Sequence, residues 1–286
     1  VAAGADARED DAVPESPEVD ALAAFLRTAA TGRVIRASEL VEGRALKTRA
    51  RPLTELHGRS VTAVRRFGKH LALDTDGPSL LIGFGRAGWA RWREEGEPEP
   101  DGGAPVIARI RFGDGGELAF TDAGDWLSLT LSVTDDPARE PVIAKLGPDP
   151  LDAAFTRESF DAALGSRRKQ IKALLQEQES LAGIGNAYSD EILHTARLAP
   201  TTHAAALSED ERARLFGAVK GVLGEAAAAR RGVPIDRQKA EKTAAMRVHG
   251  RTGETCPVCG DTVRDVPGSK GGAQYCPTCQ HDGAPL

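Results

Sequence analysis

No run of apolar residues in this 286-residue chain approaches the roughly 18–20 needed to cross a bilayer as a helix. The acidic, alanine-rich residues before Val13 lack the apolar core of a secretory signal. Cysteine is absent until Cys256, so no disulfide framework spans the chain. Positive charge is not in excess either: the net charge is −5, which argues mildly against a polyanionic partner. No internal repeat is evident, and the chain opens on Val1 rather than methionine.

What is present suits a soluble protein. Hydrophobic residues make up 41% and charged residues 28%, and the length allows two domains, each with its own core. A cytoplasmic location, no membrane association and a monomer are expected. The charge is unevenly spread. Between Gly165 and Gly250 there are 14 Lys/Arg against 10 Asp/Glu, a balance of +4, while the first 13 residues contribute −3. A locally basic face on an acidic protein is therefore compatible with phosphate binding.

The chain is organised around Val13-Pro14-Glu15-Ser16-Pro17-Glu18-Val19. Ser16 reads as a helix N-cap, with Pro17 first in the helix and Glu18 in its first turn. Val19, Leu22, Ala23 and Leu26 form an apolar stripe, and Gly32 closes the helix. An initial Val is what a GTG start codon gives when read literally. Val13 is expected to be a second such codon and the true initiator, with its methionine removed before Pro14. Pro14 would then carry a free secondary amine, with an α-amino pKa of roughly 7.7–8.0. Such an amine attacks an electrophilic carbon to give an iminium, and Glu15 would supply or collect protons. The competing reading of these residues alone is an ordinary helix start.

From Arg33 to Thr134 short strand-like runs alternate with Gly, Asp and Pro turns: Ser60–Arg65, His70–Asp74, Leu80–Phe84, Val106–Phe112, Leu118–Thr121 and Leu127–Val133. Their spacing predicts a β-sandwich. Residues 136–150 read as a linker, after which the period becomes helical. Ile171, Leu174 and Leu175 mark one helix whose other side carries Arg167, Arg168, Lys169 and Lys172. A double turn with Gly183 and Gly185 leads through Asn186 into a second helix, from about Ala187 to Thr195. Glycines and free amides at a helix start make an anion cradle; the alternative is a plain helix hairpin with an Asn cap. Ser208 and Glu211 form a capping box for a long helix stopped by Gly232. Cys256, Cys259, Cys276 and Cys279 follow as C-x2-C-x16-C-x2-C, the zinc-ribbon spacing. Four ligands fill a tetrahedron, so one structural Zn2+ is expected; two disulfides are the competing reading.

In combination and in order, these stretches resemble the formamidopyrimidine-DNA glycosylase/endonuclease VIII (Fpg/Nei) family. The similarity rests on Pro14-Glu15-Ser16-Pro17-Glu18-Val19, Arg65-Arg66-Phe67-Gly68-Lys69-His70-Leu71 and Leu146-Gly147-Pro148-Asp149-Pro150-Leu151. It extends to Gln170-Ile171-Lys172 with Ala182-Gly183-Ile184-Gly185-Asn186-Ala187-Tyr188, to Val248-His249-Gly250-Arg251, and to the finger ending in Tyr275-Cys276-Pro277-Thr278-Cys279-Gln280. The fold implied is α+β in two domains. An N-terminal catalytic β-sandwich (14–135) follows an acidic leader (1–13), and a helix-two-turn-helix domain (151–250) and zinc finger (251–286) follow the linker.

The resemblance implies a bifunctional DNA glycosylase and abasic-site lyase of base-excision repair, acting on damaged double-stranded DNA with the lesion base flipped out. Pro14 would attack C1′, Glu15 would act as acid on the sugar, and Lys69 would contact phosphate and donate a proton. Elimination at the resulting iminium would nick the strand. Arg168, Lys172, Asn186 and Lys270 would hold phosphates. The alternative is a damaged-DNA-binding protein whose leader blocks the amine. The chain departs from the family pattern at three places. Gly83-Phe84-Gly85-Arg86-Ala87-Gly88 stands where a void-filling Met is usual, so Arg86 or Trp89 must substitute. Asp122-Ala123-Gly124-Asp125-Trp126-Leu127 replaces an Arg- and Phe-bearing loop, and Gly271 replaces the arginine at the finger tip, beside Lys270.

Overall fold

A computed structural model describes residues 13–98, 103–269 and 272–286. Positions 1–12 of the expected leader, and the finger-tip pair Lys270 and Gly271, lie outside the described residues.

The apolar stripe near the start forms helix α1, Ser16–Ala29, in which Val19, Leu22, Ala23 and Leu26 are fully buried. Each buried leucine contributes roughly 1.5–3 kcal/mol, enough to pin the helix start against fraying. The N-cap is Glu15, one residue earlier than the sequence reading placed it. Val19 N–H donates to the Glu15 carbonyl at 3.1 Å, and Glu15 N–H donates to Glu18 Oε2 at 3.1 Å. Ser16 is thus already helical because Glu18 reaches back to Glu15.

Eight strands follow: β1 Ile35–Leu40, β2 Val61–Phe67, β3 His70–Thr75, β4 Ser79–Gly83, β5 Gly88–Arg93, β6 Val106–Phe112, β7 Glu117–Asp122 and β8 Thr130–Thr134. They pair antiparallel into two four-stranded sheets, ordered β1-β6-β7-β5 and β2-β3-β4-β8. Residues of both sheets share one core with the buried face of α1, including Ile35, Leu73, Leu80, Ile110 and Phe120. The β-sandwich is as expected. The segment read as a linker is docked: within it lies α2, Pro141–Ala144, whose Ile143 packs on Ala72 and Leu81.

The helical half comprises α3 Arg157–Leu164, α4 Ile171–Leu175, α5 Asn186–Ala196, α6 Glu209–Arg230 and α7 Gln238–Ala245. Ile171, Leu174, Leu175, Tyr188, Leu193, Leu215, Val219 and Leu223 form its core. Helix α6 begins at the expected Ser208–Glu211 capping box. The helix expected around Ile171 is only five residues long, so Arg167, Arg168 and Lys169 precede it rather than line its far side. The chain ends in a small finger with β9 Arg264–Asp265, β10 Gln274–Tyr275 and α8 Pro277–Gln280. The two halves are stitched together. Ile235 enters the β-sandwich core, and Trp89 Nε1 donates to its carbonyl at 2.6 Å.

Candidate active site and metal centre

The start of α1 is pressed into the double turn before α5. Ser16 N–H donates to the Gly183 carbonyl at 3.0 Å. Gly183 has φ +90°, and a Cβ there would come within 2.6 Å of Ser16 Cβ; one on Gly185 would meet Glu15 Cδ and Lys69 Nζ, each at 2.6 Å. Both glycines are therefore needed for close approach of the chain to itself.

The anion in the cradle is internal. Glu15, fully buried, accepts hydrogen bonds from the backbone amides of Gly185 and of Ala187 (3.0 Å), and from Lys242 Nζ (3.0 Å). The two amides open α5, where the helix dipole favours negative charge. The cradle read from the sequence as a phosphate site is in this respect a carboxylate site within the chain.

Charge balance around Glu15 decides its state. Burial works to raise its pKa, but the Lys242 and Lys69 ammonium groups and the bonds from Lys242 and Gly185 outweigh it and lower the pKa. Glu18 goes the other way. Its burial raises the pKa despite Lys242, with Oε2 4.0 Å from Nζ, and a 2.6 Å bond from the Tyr188 hydroxyl. Arg230 Nε stands 3.5 Å from its Oε1. The Lys69 pKa is lowered, by burial first and by the Lys242 charge, against the pull of Glu15. The site thus holds a carboxylate, a carboxyl whose pKa is raised and an amine whose pKa is lowered, shifts of the kind that mark acid–base sites.

Lys69 is aimed by its turn. Gly68, at φ +55°, packs on Gly183, and its N–H donates to Asp149 Oδ2 at 3.2 Å. Arg66 bridges the same Asp149 carboxylate at 2.5 Å and the Gly68 carbonyl at 3.1 Å. This accounts for two stretches singled out in the sequence: Asp149 fixes the turn that carries Lys69.

A model of the formamidopyrimidine-DNA glycosylase N-terminal domain matches residues 13–126, and one of the formamidopyrimidine-DNA glycosylase H2TH domain matches residues 146–235. A formamidopyrimidine-DNA glycosylase of Heliobacterium modesticaldum is 35% identical over 282 residues, covering 94% of this chain and 100% of that protein. The chain belongs to the formamidopyrimidine-DNA glycosylase family. Among solved members of the family, the Lactococcus lactis enzyme non-covalently bound to DNA containing an abasic site has a TM-score of 0.79 at 27% identity, covering 93% of this chain and 99% of that one. MutM in complex with DNA containing carbocyclic 8-oxo-G also has a TM-score of 0.79, at 26% identity, covering 94% and 100%.

Against the family pattern, Trp126 is 87% exposed on a loop folded by Asp122. That carboxylate accepts from the amides of Gly124, Ser128 and Leu129 at 3.0, 2.7 and 2.8 Å. Trp89 is buried in the sandwich core, which leaves exposed Arg86 as the residue at that turn able to fill a void. Of the residues expected to hold phosphate, Arg168 is exposed. Asn186 is half-buried, its Oδ1 accepting from Gln176 Nε2 at 2.9 Å, which orients the amide and keeps its NH2 as a donor. Lys172 does not fit its expected role. Its ammonium is turned inward to Asp190 Oδ1 (2.5 Å), Ser189 Oγ (2.9 Å) and the Asn186 carbonyl (3.2 Å). A cation buried against a carboxylate has no capacity left for a phosphate. Lys270 lies outside the described residues.

In the finger the four cysteines converge as free thiols. Cys259 Sγ is 3.3 Å from Cys276 Sγ, and Cys256 Sγ is 3.9 Å from Cys279 Sγ. Sulfurs around a tetrahedral zinc, with bonds of about 2.3 Å, stand about 3.8 Å apart, so the donor set fits. The ligand atoms of Cys256, Cys276 and Cys279 also lie within 4.8 Å of one another and of a ring nitrogen of His194 on α5, whose Nε2 is 3.3 Å from Cys256 Sγ. Nothing in the sequence pointed to His194, which is 62 residues from its neighbour. Burial raises the Cys276 thiol to about 11 and pushes Cys279 higher still, whereas the Asp261 amide lowers Cys259, so a bound cation would favour thiolates most at the first two.

The finger's apolar core is small and split in two: Val248, Cys256, Val263 and Cys276 with Cys279 against them, and Val266, Ala273 and Tyr275 with Leu286. Cys276→Ser, or chelation, is expected to abolish hydrogen-exchange protection of the Val263 and Val266 amides, which donate to Glu254 and Ala273, while the β-sandwich amides stay protected. Unchanged protection after the metal is removed would show that the finger holds itself together.

Proposed function

We propose that this protein is a DNA repair glycosylase that removes an oxidised base from damaged double-stranded DNA and then nicks the strand at the abasic site, with Pro14 as nucleophile once residues 1–13 are gone. The observation that carries this reading is the ionised, fully buried Glu15 beside Pro14, flanked by Lys242 and Lys69. DNA in the solved relatives, with an abasic site in one and carbocyclic 8-oxo-G in the other, supports damaged DNA as partner.

The chemistry follows from the charges. Glu15 enters as a carboxylate and so acts first as a base. The lone pair of the neutral Pro14 amine attacks C1′, and the base leaves with the C1′–N bond electrons and takes up a proton from water. Glu15 then removes the remaining N–H proton from the cationic nitrogen and passes it to the sugar ring oxygen as the C1′–O bond breaks, which leaves the iminium. The iminium withdraws electrons from C2′; loss of a C2′ proton then expels the 3′ phosphate oxygen by β-elimination. Lys69, with its lowered pKa, shuttles protons at this stage. Arg168, Asn186 and Lys270 hold flanking phosphates, and Trp126 wedges the stack. The finger's ion is zinc, closed off from the chemistry by its four protein ligands.

One observation favours a second reading for the chain that keeps its leader. The Val13 carbonyl is held by Lys242 Nζ at 2.7 Å, and with Val13 attached the Pro14 nitrogen is an amide. That form would be a clamp on damaged DNA without lyase activity.

The test is borohydride trapping on DNA with an abasic site. The protein beginning at Pro14 is expected to give a covalent adduct mapping to residue 14 by peptide mass, and the form retaining Val13 to give none there. An adduct on a different amine, or no adduct from either form, would overturn the mechanism.

A further inference from the structure

Helix α7 carries no motif, yet it delivers the most buried amine of the site. Lys242 is 1% exposed. Its Nζ donates to the Val13 carbonyl at 2.7 Å and to Glu15 Oε1 at 3.0 Å, stands 4.0 Å from Glu18 Oε2, and lies 5.2 Å from the Tyr188 ring centroid. Burying an ammonium costs several kcal/mol unless it is paired, so this position has to be occupied by design of the site rather than by packing alone. The O and N of one peptide are about 2.3 Å apart, so Nζ lies no more than about 5 Å from the Pro14 nitrogen.

We propose that Lys242 is a positioning residue of the active site: it fixes Glu15 and, in the protein that begins at Pro14, faces the freed amine and keeps it unprotonated and nucleophilic. This rests on the reading of Pro14 as nucleophile. Removing residue 13 deletes the carbonyl that Lys242 grips and leaves its positive charge beside the new terminus. A like charge at this range disfavours the protonated amine by about one to two pH units, the device by which paired amines are activated elsewhere.

The other charges around the terminus are accounted for. Glu15 lies against it, and Glu18 is occupied by Tyr188 and Arg230. Lys69 approaches from the β2–β3 turn with its pKa lowered by burial and by the Lys242 charge. Tyr188 has its pKa raised well above the ordinary value by burial and by Glu18, so it stays neutral. Lys239, three residues before Lys242 on α7, donates to the Ala87 carbonyl at 3.1 Å, and burial lowers it to about 8. Changing Lys242 alone removes one ammonium, and with it one of the charges that lower Lys69 and Glu15, while Tyr188 and Lys239 keep their own partners.

The experiment is the rate of borohydride trapping on abasic-site DNA as a function of pH, for the protein beginning at Pro14 and its Lys242→Met and Lys242→Arg variants. Methionine is expected to move the midpoint of the pH profile alkaline by about one to two units, towards the roughly 7.7–8.0 of an ordinary α-amine, while arginine keeps it in place. The midpoint is read within the reactive molecules, so partial unfolding lowers the amplitude without moving it. A methionine variant with reduced amplitude and an unshifted midpoint overturns the proposal and leaves the Pro14 reading standing. Absence of an adduct from the unsubstituted protein removes both. If methionine gives no adduct at any pH, arginine decides: the parent's midpoint supports the charge, and an equally silent arginine variant overturns it.

Discussion

Glu15→Gln is expected to slow release of an oxidised base by about 10²–10⁴-fold in single turnovers, the usual span for removing a general acid–base group. The substitution is close to isosteric, but it deletes the one full negative charge between Lys69 and Lys242. Without it no group adjoining Pro14 takes the amine's proton. The Gly185 and Ala187 amides and Lys242 are all donors to this carboxylate. A glutamine turns one of its own donors against them and leaves one unsatisfied, at a cost of about 1–3 kcal/mol in stability. The pH profile separates the two effects. The Glu15 pKa is lowered in the folded protein, so its stabilising contribution is full above the ordinary carboxyl value of 4.5 and is lost as pH falls through the lower folded value. Glu18 and Glu191 have raised pKa values and work in the opposite sense, gaining as pH falls. The glutamine variant should therefore lose less stability than the parent on acidification below pH 4.5, measured by denaturant midpoints. Base release within a factor of three of the parent at neutral pH would show that Glu15 is structural.

Much of this was legible in the sequence because the signals were local. The stripe from Val19 to Leu26, the Ser208–Glu211 box and the paired cysteines each occupy a short window whose spacing has one structural meaning. Strands β1 and β5 are less distinct. They are the edges of their sheet, and β1 alternates weakly because a single residue, Ile35, is fully buried. Helix α7 inverts the usual rule. Gln-Lys-Ala-Glu-Lys-Thr-Ala-Ala reads as a solvated segment, yet the positions it buries are Gln238 and Lys242, one turn apart. Hydrophobic periodicity cannot find a helix whose inward face is polar because the site it lines is charged. Nor does a run of cations tell its members apart: Arg168 stays outside, while Lys172 goes in to meet a carboxylate 18 residues away. The amides of the double turn were legible as an anion site. Which anion fills it depends on the fold, since Glu15 is 170 residues from Gly185.

That inward turn of Lys172 makes Asp190 a residue whose loss should cost the fold heavily. Asp190→Asn is expected to reduce stability by about 3–5 kcal/mol, a large part of a domain's ordinary 5–15 kcal/mol. Asp190 is fully buried, and its two oxygens hold separate parts of the protein together. Oδ1 pairs with Lys172 of α4; Oδ2 takes His249 Nδ1 at 2.7 Å and the Gln274 amide of β10 at 3.2 Å. The adjoining Glu191 accepts from the amides of Arg247, Val248 and His249 at 2.9–3.0 Å, so one turn of α5 docks the finger through two carboxylates. Asparagine still offers an oxygen to one side but leaves the Lys172 ammonium buried without a counter-charge. Most of the loss should come from that stranded charge, not from a missing bond. Adding Lys172→Met to Asp190→Asn is therefore expected to recover part of the stability, although two residues are then changed. Denaturant unfolding of the two variants, with hydrogen exchange at Gln274, measures both quantities. A loss below about 1 kcal/mol for Asp190→Asn, or a further loss on adding Lys172→Met, would mean that water reaches this pair and that the finger is docked by Glu191 rather than by Asp190.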